Sequence, residues 1–431
     1  LAKADTIPAS APMAPTEPFP ALAVVPPGLE ATAAKELTAL GAQSAQPLHG
    51  AVALTCDLPA FYRFHLQARL PFRLLRELAR FSCSSREDLR QGVAHAADWS
   101  FWLPPERTMR VEVSGATPAL NHSHFTALQV KNALVDWQRQ RWGTRGTVAL
   151  QDPDLVIHLH LLRRGEAVLS LDGSGDSLHR RGWRSAVGLA PLKENVAAGL
   201  LALTGWDGHC PLVDPFCGSG TLLIEAACGA LGRAPGVLPK VNGQPLRVRA
   251  CALQRWPDFE ASLWHQEVEA ALRLARDTLA DGRPLAPLLG IDHNPEVLAQ
   301  ARGNAEAAGV ADWIRWELGD ARTFTPPPGP GVIVTNPPYG KRLGERQEQE
   351  ALYAAFGQRL RQEAAGWTLW LLSGHPELTA ALRLKADQRS PVSHGGLDCR
   401  WLRYVLRERH PLPQQEGSWR SEAGSKAHGG A

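Results

Sequence analysis

Residues 211–221 read Pro-Leu-Val-Asp-Pro-Phe-Cys-Gly-Ser-Gly-Thr and run straight into Leu222, Leu223, Ile224, Glu225, Ala226 and Ala227. A short apolar run, two glycines one residue apart and a renewed apolar pattern predict a buried strand, a tight turn and a helix. Such a junction lets a ligand approach the backbone closely. Gly218 and Gly220 remove side chains where a ligand must pass, and the new helix presents unpaired N–H groups toward the ligand's anionic end. A dinucleotide site would need Gly-x-Gly-x-x-Gly at this junction and a phosphate loop would need Gly-Lys-Ser/Thr. Neither is present there.

Working outward, residues 332–340 read Val-Ile-Val-Thr-Asn-Pro-Pro-Tyr-Gly, which sets Asn336, Pro337, Pro338 and Tyr339 directly after an apolar strand. The tetrapeptide suits methylation of a planar amino group. An exocyclic amine is a poor nucleophile because its lone pair is conjugated into the ring, so two acceptors aimed at its hydrogens must draw that pair out of plane. The Asn336 side-chain oxygen and the Pro337 carbonyl can do this if Pro338 stiffens the loop, and Tyr339 offers a face on which a base can stack. The chemistry requires no metal and no covalent nucleophile. A proline-terminated strand would account for the same four residues on its own; the upstream glycine junction favours the chemical reading.

The stretch Asp214-Pro215-Phe216-Cys217-Gly218-Ser219-Gly220-Thr221 resembles motif I of the Rossmann-like S-adenosylmethionine-dependent methyltransferases, in the form found in amino-group methyltransferases with an Asn-Pro-Pro-Tyr loop. The resemblance implies S-adenosylmethionine as cofactor, bound by Asp214, Phe216, Gly218, Ser219, Gly220 and Thr221. Leu288-Leu289-Gly290-Ile291-Asp292 is an apolar run ending in a carboxylate, followed by Asn294, Pro295 and a helical stretch closed by Gly309. Asp292 falls where such a fold places a ribose acceptor, with His293 beside it. Trp313 to Leu318 forms a third strand, after which Asp320 would accept the adenine amine with Ala321 alongside. Each acid alone reads better as a solvated strand-end carboxylate than as a ligand contact. Their order is what assigns them.

Asp292 lies 78 residues after Asp214, far beyond the roughly 20 of a minimal βαβ unit. The surplus, 231–284, contains a Trp256-Pro257-Asp258-Phe259 element and a helical segment over 262–280. This insertion resembles that of the bacterial THUMP-domain RNA methyltransferases, the family that includes the 23S rRNA guanine-N2 enzymes. The similarity covers most of residues 60–408. His122 to Asp136 resembles a THUMP helix, Asp152 to Leu161 the strand after it, and Ser177 to Arg184 the exit from that module. Ala190-Pro191-Leu192-Lys193-Glu194-Asn195 resembles the segment that opens the catalytic domain and closes over the cofactor, through Lys193, Glu194 or Asn195. An ordinary helix start with Pro191 in its first turn also fits.

The resemblance implies an α/β protein in which a ferredoxin-like plus THUMP region precedes a seven-stranded Rossmann-like methyltransferase domain. The expected divisions are a structureless Pro/Ala-rich tail over 1–18, a ferredoxin-like part over 19–70 and the RNA-binding THUMP domain over 71–172. A linker over 173–189, the methyltransferase domain over 190–409 with its 231–284 insertion, and a structureless tail over 410–431 complete them. The implied activity is methylation of guanine N2, most naturally in 23S rRNA. A tRNA guanine-N2 enzyme, a nucleic-acid adenine-N6 enzyme and a non-catalytic RNA-binding protein are the alternatives.

Composition agrees with this without deciding it. A chain of 431 residues with an apolar fraction of 44% can fill two or three cores. The net charge of +3 makes any RNA contact a local one. Two clusters interleave basic residues with tryptophan: Arg139, Arg141, Trp142 and Arg145, and Arg180, Arg181, Trp183 and Arg184. They suit phosphate contact with stacking, although a solvated helix end or an ion-paired linker would look the same. Seven cysteines without a Cys-x-x-Cys pair read as reduced cytoplasmic thiols, with Cys217 a small packing residue. No metal spacing emerges among the histidines, of which His158 and His160 share one face of a predicted strand. Neither end reads as a membrane span or a secretory signal.

Overall fold

A computed structural model describes residues 14–184, 192–238, 246–282, 284–338 and 343–407. The strands run in chain order as β1 (Phe19–Val24), β2 (Ser44–Leu48), β3 (Ala51–Cys56), β4 (Arg73–Ser82), β5 (Met109–Gly115), β6 (Leu155–Leu162) and β7 (Glu166–Asp172), then β8 (Leu212–Asp214), β9 (Val237–Leu238), β10 (Arg247–Val248), β11 (Leu288–Asp292), β12 (Ile314–Leu318), β13 (Val332–Thr335), β14 (Thr368–Ser373), β15 (Gln388–His394) and β16 (Leu397–Val405).

The first seven strands form one sheet in the order β2-β3-β1-β4-β7-β6-β5. β4 is its shared member. Its first residues pair with β1, from Arg73↔Val24 to Arg76↔Ala21, while Leu75 to Ser82 pair with β7. The ferredoxin-like and THUMP portions are therefore one hydrogen-bonded surface, and the described part of the linker, residues 173–184, does not hang free of it. Leu178 and Trp183 are buried, and the Leu178 amide donates to Phe72 O at 2.8 Å.

The second sheet has the order β12-β11-β8-β13-β14-β16-β15, parallel through β14 with β16 reversed. A parallel wing needs both faces covered, so its strands are apolar throughout: Leu212, Val213, Ile333 and Leu369 are all fully buried. The strand that follows β8 in the wing, β11, lies on one side of it, whereas β13 returns on the other. At such a reversal the loops diverge and leave a crevice beyond the carboxyl ends of the strands.

The described residues of the 231–284 insertion do not enter this sheet. It carries the β9–β10 ribbon and the helix Ala261–Ala280 back to the N-terminal region. Trp256 stacks on Phe61 (centroids 6.1 Å apart) and meets Trp102 edge-on, and Tyr62 packs against Phe259 and Trp264. Arg63 closes the contact with two hydrogen bonds to Glu267, at 2.7 and 2.9 Å. Aromatic contacts of this kind add to the burial that holds two units together.

A second tie lies under the catalytic sheet. Glu225, on the helix Thr221–Ala230, accepts from Arg69 and from Arg181, each at 3.2 Å. Arg181 also donates to the carbonyls of Leu178 and Arg69. The expectation that Arg181 contacts RNA is thereby corrected: its side chain is 1% exposed and its charge is answered inside the protein.

Candidate active site

The glycine turn is held by the strand beside it. The Cys217 amide donates to Ile291 O at 3.0 Å and the Gly218 amide to Asp292 Oδ2 at 3.1 Å. Asp292 Oδ1 accepts from the Asn294 amide at 2.9 Å, and Asn294 in turn caps the helix Pro295–Ala307 by accepting from Glu296 and Val297. From that helix Asn304 reaches back to Ser219 O at 3.1 Å. The two glycines differ in their need. Gly220 has φ +82° and sits where a Cβ would lie 2.6 Å from the Trp316 indole; Gly218 has φ +53° with no atom within 4 Å of such a carbon, so the space beside it is open. The open space, the acid aimed at the turn and the N-terminus of the Thr221–Ala230 helix fit a ligand with a ribose and an anionic end.

Asp214 ends β8 at 2% exposure. Burial lifts its pKa to about 7, with the nearby Asp292 charge adding to the rise, while the Phe216 amide (3.1 Å) and the Thr335 hydroxyl pull it down. Phe216 itself packs edge-on against Phe356 at 5.1 Å. Cys217 is buried among these groups and its thiol is pushed well up by burial, which makes it a packing residue with no thiolate to offer.

Asp214, Asp292, Asp320 and Asn336 stand at or just beyond the carboxyl ends of β8, β11, β12 and β13, four adjacent strands of one sheet. Asn336 is half-buried, Pro337 buried and Pro338 exposed, and Tyr339 lies outside the described residues. Ala321 is buried next to Asp320. His293 is exposed on the rim, its Nδ1 3.4 Å from Asp292 Oδ1. Asp320 has a partner that its position in the sequence did not foretell. Arg322 grips both of its oxygens, at 3.0 Å and 2.9 Å from Nε, and this holds the carboxyl below its usual range.

Two expectations around the linker change. The Arg184 side chain, expected to meet RNA, is turned inward and is 12% exposed. Its guanidinium donates to Glu194 Oε1 (3.0 Å), Leu192 O (3.1 Å), Ser219 Oγ (3.1 Å) and Thr221 Oγ1 (3.0 Å), so it ties Glu194 to the glycine turn. Asn195 is fully buried and its amide donates to Leu70 O at 3.0 Å, turned toward the N-terminal region and away from the turn. Lys193 is exposed, with its ammonium 5.0 Å from the centre of the Phe72 ring. Sequence reasoning gave Arg184 a different role because its hydroxyl partners lie 35 and 37 residues away; only Glu194, ten residues on, is a near signal. Arg139, Arg141, Arg145 and Arg180 are exposed. Among the described residues no group of acids, histidines and cysteines could hold a metal ion, and no helix is long and apolar enough to cross a membrane.

Sheet order, switch point and rim together define a Rossmann-like methyltransferase. The sequence model of the RMKL-like methyltransferase domain matches residues 181–403, that of the THUMP domain 84–172 and that of the RlmL ferredoxin-like domain 21–75. The Synechocystis sp. protein slr0064, provisionally named an RNA methyltransferase, is 42% identical over 90% of this chain and 97% of its own. Ribosomal RNA large subunit methyltransferase K/L of Pseudomonas entomophila is 37% identical over 92% of this chain, which spans about half (55%) of that relative's length. The crystal structure of SMU.472, a provisionally named methyltransferase in complex with S-adenosylhomocysteine, matches with a TM-score of 0.77 at 26% identity, over 92% of this chain and 100% of that one. The chain belongs to the RMKL-like, THUMP-bearing family of RNA methyltransferases, and S-adenosylmethionine is its cofactor.

Proposed function

We propose that this protein methylates the exocyclic N2 amine of guanine, in the 23S RNA of the large ribosomal subunit. The observation that carries the reading is the meeting of Asp214, Asp292 and Asp320 with Asn336-Pro337-Pro338 on adjacent strand tips, in a chain with an RNA-side module at its other end. The relatives named ribosomal RNA large subunit methyltransferase K/L support the substrate class.

When bound, the cofactor supplies an electrophilic sulfonium methyl. Asp292, which keeps the Gly218 turn in register, would accept from its ribose hydroxyls, and Asp320, oriented by Arg322, would accept from the adenine amine. Gly218 leaves open space beside the turn, Gly220 lets the Trp316 indole pack against it, Arg184 with Glu194 fixes the Ser219 and Thr221 hydroxyls, and the helix N-terminus would favour the carboxylate. With the target base out of its stack, the Asn336 oxygen and the Pro337 carbonyl would hold its amine toward the methyl and Tyr339 would support the ring. The methylated ammonium is strongly acidic and gives its proton to water.

The test is to incubate RNA from cells lacking the protein with the protein and methyl-labelled cofactor, then to digest it to nucleosides. Label on N2-methylguanosine from large-subunit RNA is expected. Label on N6-methyladenosine would overturn the assignment of the amine, and label confined to tRNA would overturn that of the RNA.

Asp214 makes cofactor binding depend on pH. With its folded pKa at about 7 against an ordinary 3.8, the carboxyl keeps its proton longer in the folded protein. Its stabilising contribution is full below about pH 4 and is lost as pH climbs through about 7. A cation placed beside it favours the ionised form, so binding expels a proton. Calorimetry between pH 6 and 8 should show affinity rising with pH, then levelling above about 7, with proton release into the buffer. Flat affinity without proton release would mean that Asp214 is already ionised.

A further inference from the structure

The exit segment after the THUMP module and the β9–β10 ribbon enclose a groove of about 320 Å³ that the cofactor site does not use. Arg180 lines it from the exit segment, and Arg247 and Arg249 line it from the ribbon side. Arg180 is 72% exposed, with one acidic neighbour, Asp176, at 4.0 Å. Arg247 is exposed and donates to Gly182 O at 3.3 Å. Arg249 is the telling member. Its guanidinium donates to the carbonyls of Leu178 (3.0 Å), Pro235 (3.3 Å), His65 (3.4 Å) and Arg180 (3.5 Å), and among the described residues it forms no ion pair. Burial, with Arg181 beside it, draws its pKa down to about 10, which still leaves it charged at neutral pH. Four arginines line the groove with one exposed carboxylate, Asp176, and with Arg181 answered by Glu225 three of the guanidinium charges remain, in surroundings of low dielectric that strengthen their combined field.

We propose that this groove binds the phosphodiester backbone of the RNA substrate next to the methylated nucleotide, with Arg180 and Arg247 gripping a phosphate over the fixed charge of Arg249. The inference rests on RNA being the substrate. Its second support is position. Gly182, at the groove, is two residues from Arg184, a span of at most about 7 Å of chain, and Arg184 touches Ser219 and Thr221 of the glycine turn. The groove and the glycine turn are therefore joined by one short, hydrogen-bonded stretch of chain. Arg247 belongs to the insertion, which gives that segment a role toward RNA as well as toward the fold.

Methyl transfer to large-subunit RNA from cells lacking the protein is measured for the wild type, for Arg180→Glu and Arg247→Glu, and for the milder Arg180→Gln and Arg247→Gln. Each reversal is expected to raise KM for RNA about tenfold, and each variant to flatten the logarithmic salt dependence of RNA binding by about 0.7 to 0.9. S-adenosylhomocysteine affinity by calorimetry and kcat at saturating RNA should stay at wild-type values. Unchanged KM and salt slope in all four variants, while the wild type labels the RNA, would overturn the proposal. So would a loss of cofactor affinity in the milder pair, since the groove would then only support the fold. A wild type that labels no RNA would instead count against RNA methylation itself.

Discussion

Asn336→Ala should lower kcat by about 10²- to 10³-fold, the size seen when one preorganised polar group facing developing charge is removed, and leave S-adenosylmethionine affinity within about twofold. The separation follows from where the acid and the amide stand. Asp292 takes the Gly218 amide at 3.1 Å, so Asp292→Ala withdraws the acceptor that holds the glycine turn together with the proposed ribose acceptor. That variant should weaken cofactor binding by at least about tenfold. Asn336 follows β13, on the far side of β8 from Asp292, at the strand tip that would face the incoming amine. Equilibrium binding and single-turnover methylation of both variants test this. If Asn336→Ala loses cofactor affinity as far as Asp292→Ala does, Asn336 shapes the pocket and the proposed chemistry is wrong.

Glu225→Gln should be among the most destabilising single changes in the protein. Glu225 is 2% exposed at its side chain and answers Arg69 and Arg181, the latter 1% exposed. Removing the negative charge while preserving shape leaves the buried Arg181 and the partly exposed Arg69 without their counter-charge, at a cost of about 3–5 kcal/mol. Thermal melts should show a fall in midpoint of about 3–6 °C. Replacing Arg69, Arg181 and Glu225 together by apolar residues of similar volume should recover most of the loss, because no unpaired charge then remains buried. An unchanged midpoint for Glu225→Gln would mean that water reaches the cluster. The same helix begins at the glycine turn, so the variant should also loosen the cofactor.

The parts of the site legible in the sequence were those whose chemistry is local. Strand, glycine turn and helix follow one another within 211–227, and an acid at the end of an apolar run needs only its own strand to place it at a rim. Arg181 and Arg184 were not legible in this way. Both sit in one Arg-Arg-Gly-Trp-Arg stretch with Arg180, and nothing local shows that Arg180 points to solvent, Arg181 to Glu225 and Arg184 to the glycine turn. For Arg181 and Arg184 the choice is made by partners 35 to 44 residues away. Asn195 misled for the same reason, since its carbonyl partner, Leu70, lies 125 residues earlier. Asp320 was placed correctly at its strand end, but a carboxylate gripped by Arg322 two residues on looks in sequence like any acid near a base. Of the last two strands only β16 carried a readable alternation; its partner β15 has three exposed residues among its first four and contains Pro391.

The insertion was recognised as surplus length, yet length says nothing about where surplus packs. Its aromatic side chains against Phe61, Tyr62 and Trp102, together with the strand that belongs to both halves of the first sheet, mean that the named modules are not separable parts. A cut placed at any of their borders would strip a hydrogen-bonded edge or bare a row of tryptophans, so the chain has to be inherited, expressed and engineered as one piece. Swapping its RNA-reading half for another would require transplanting the loop that clasps it.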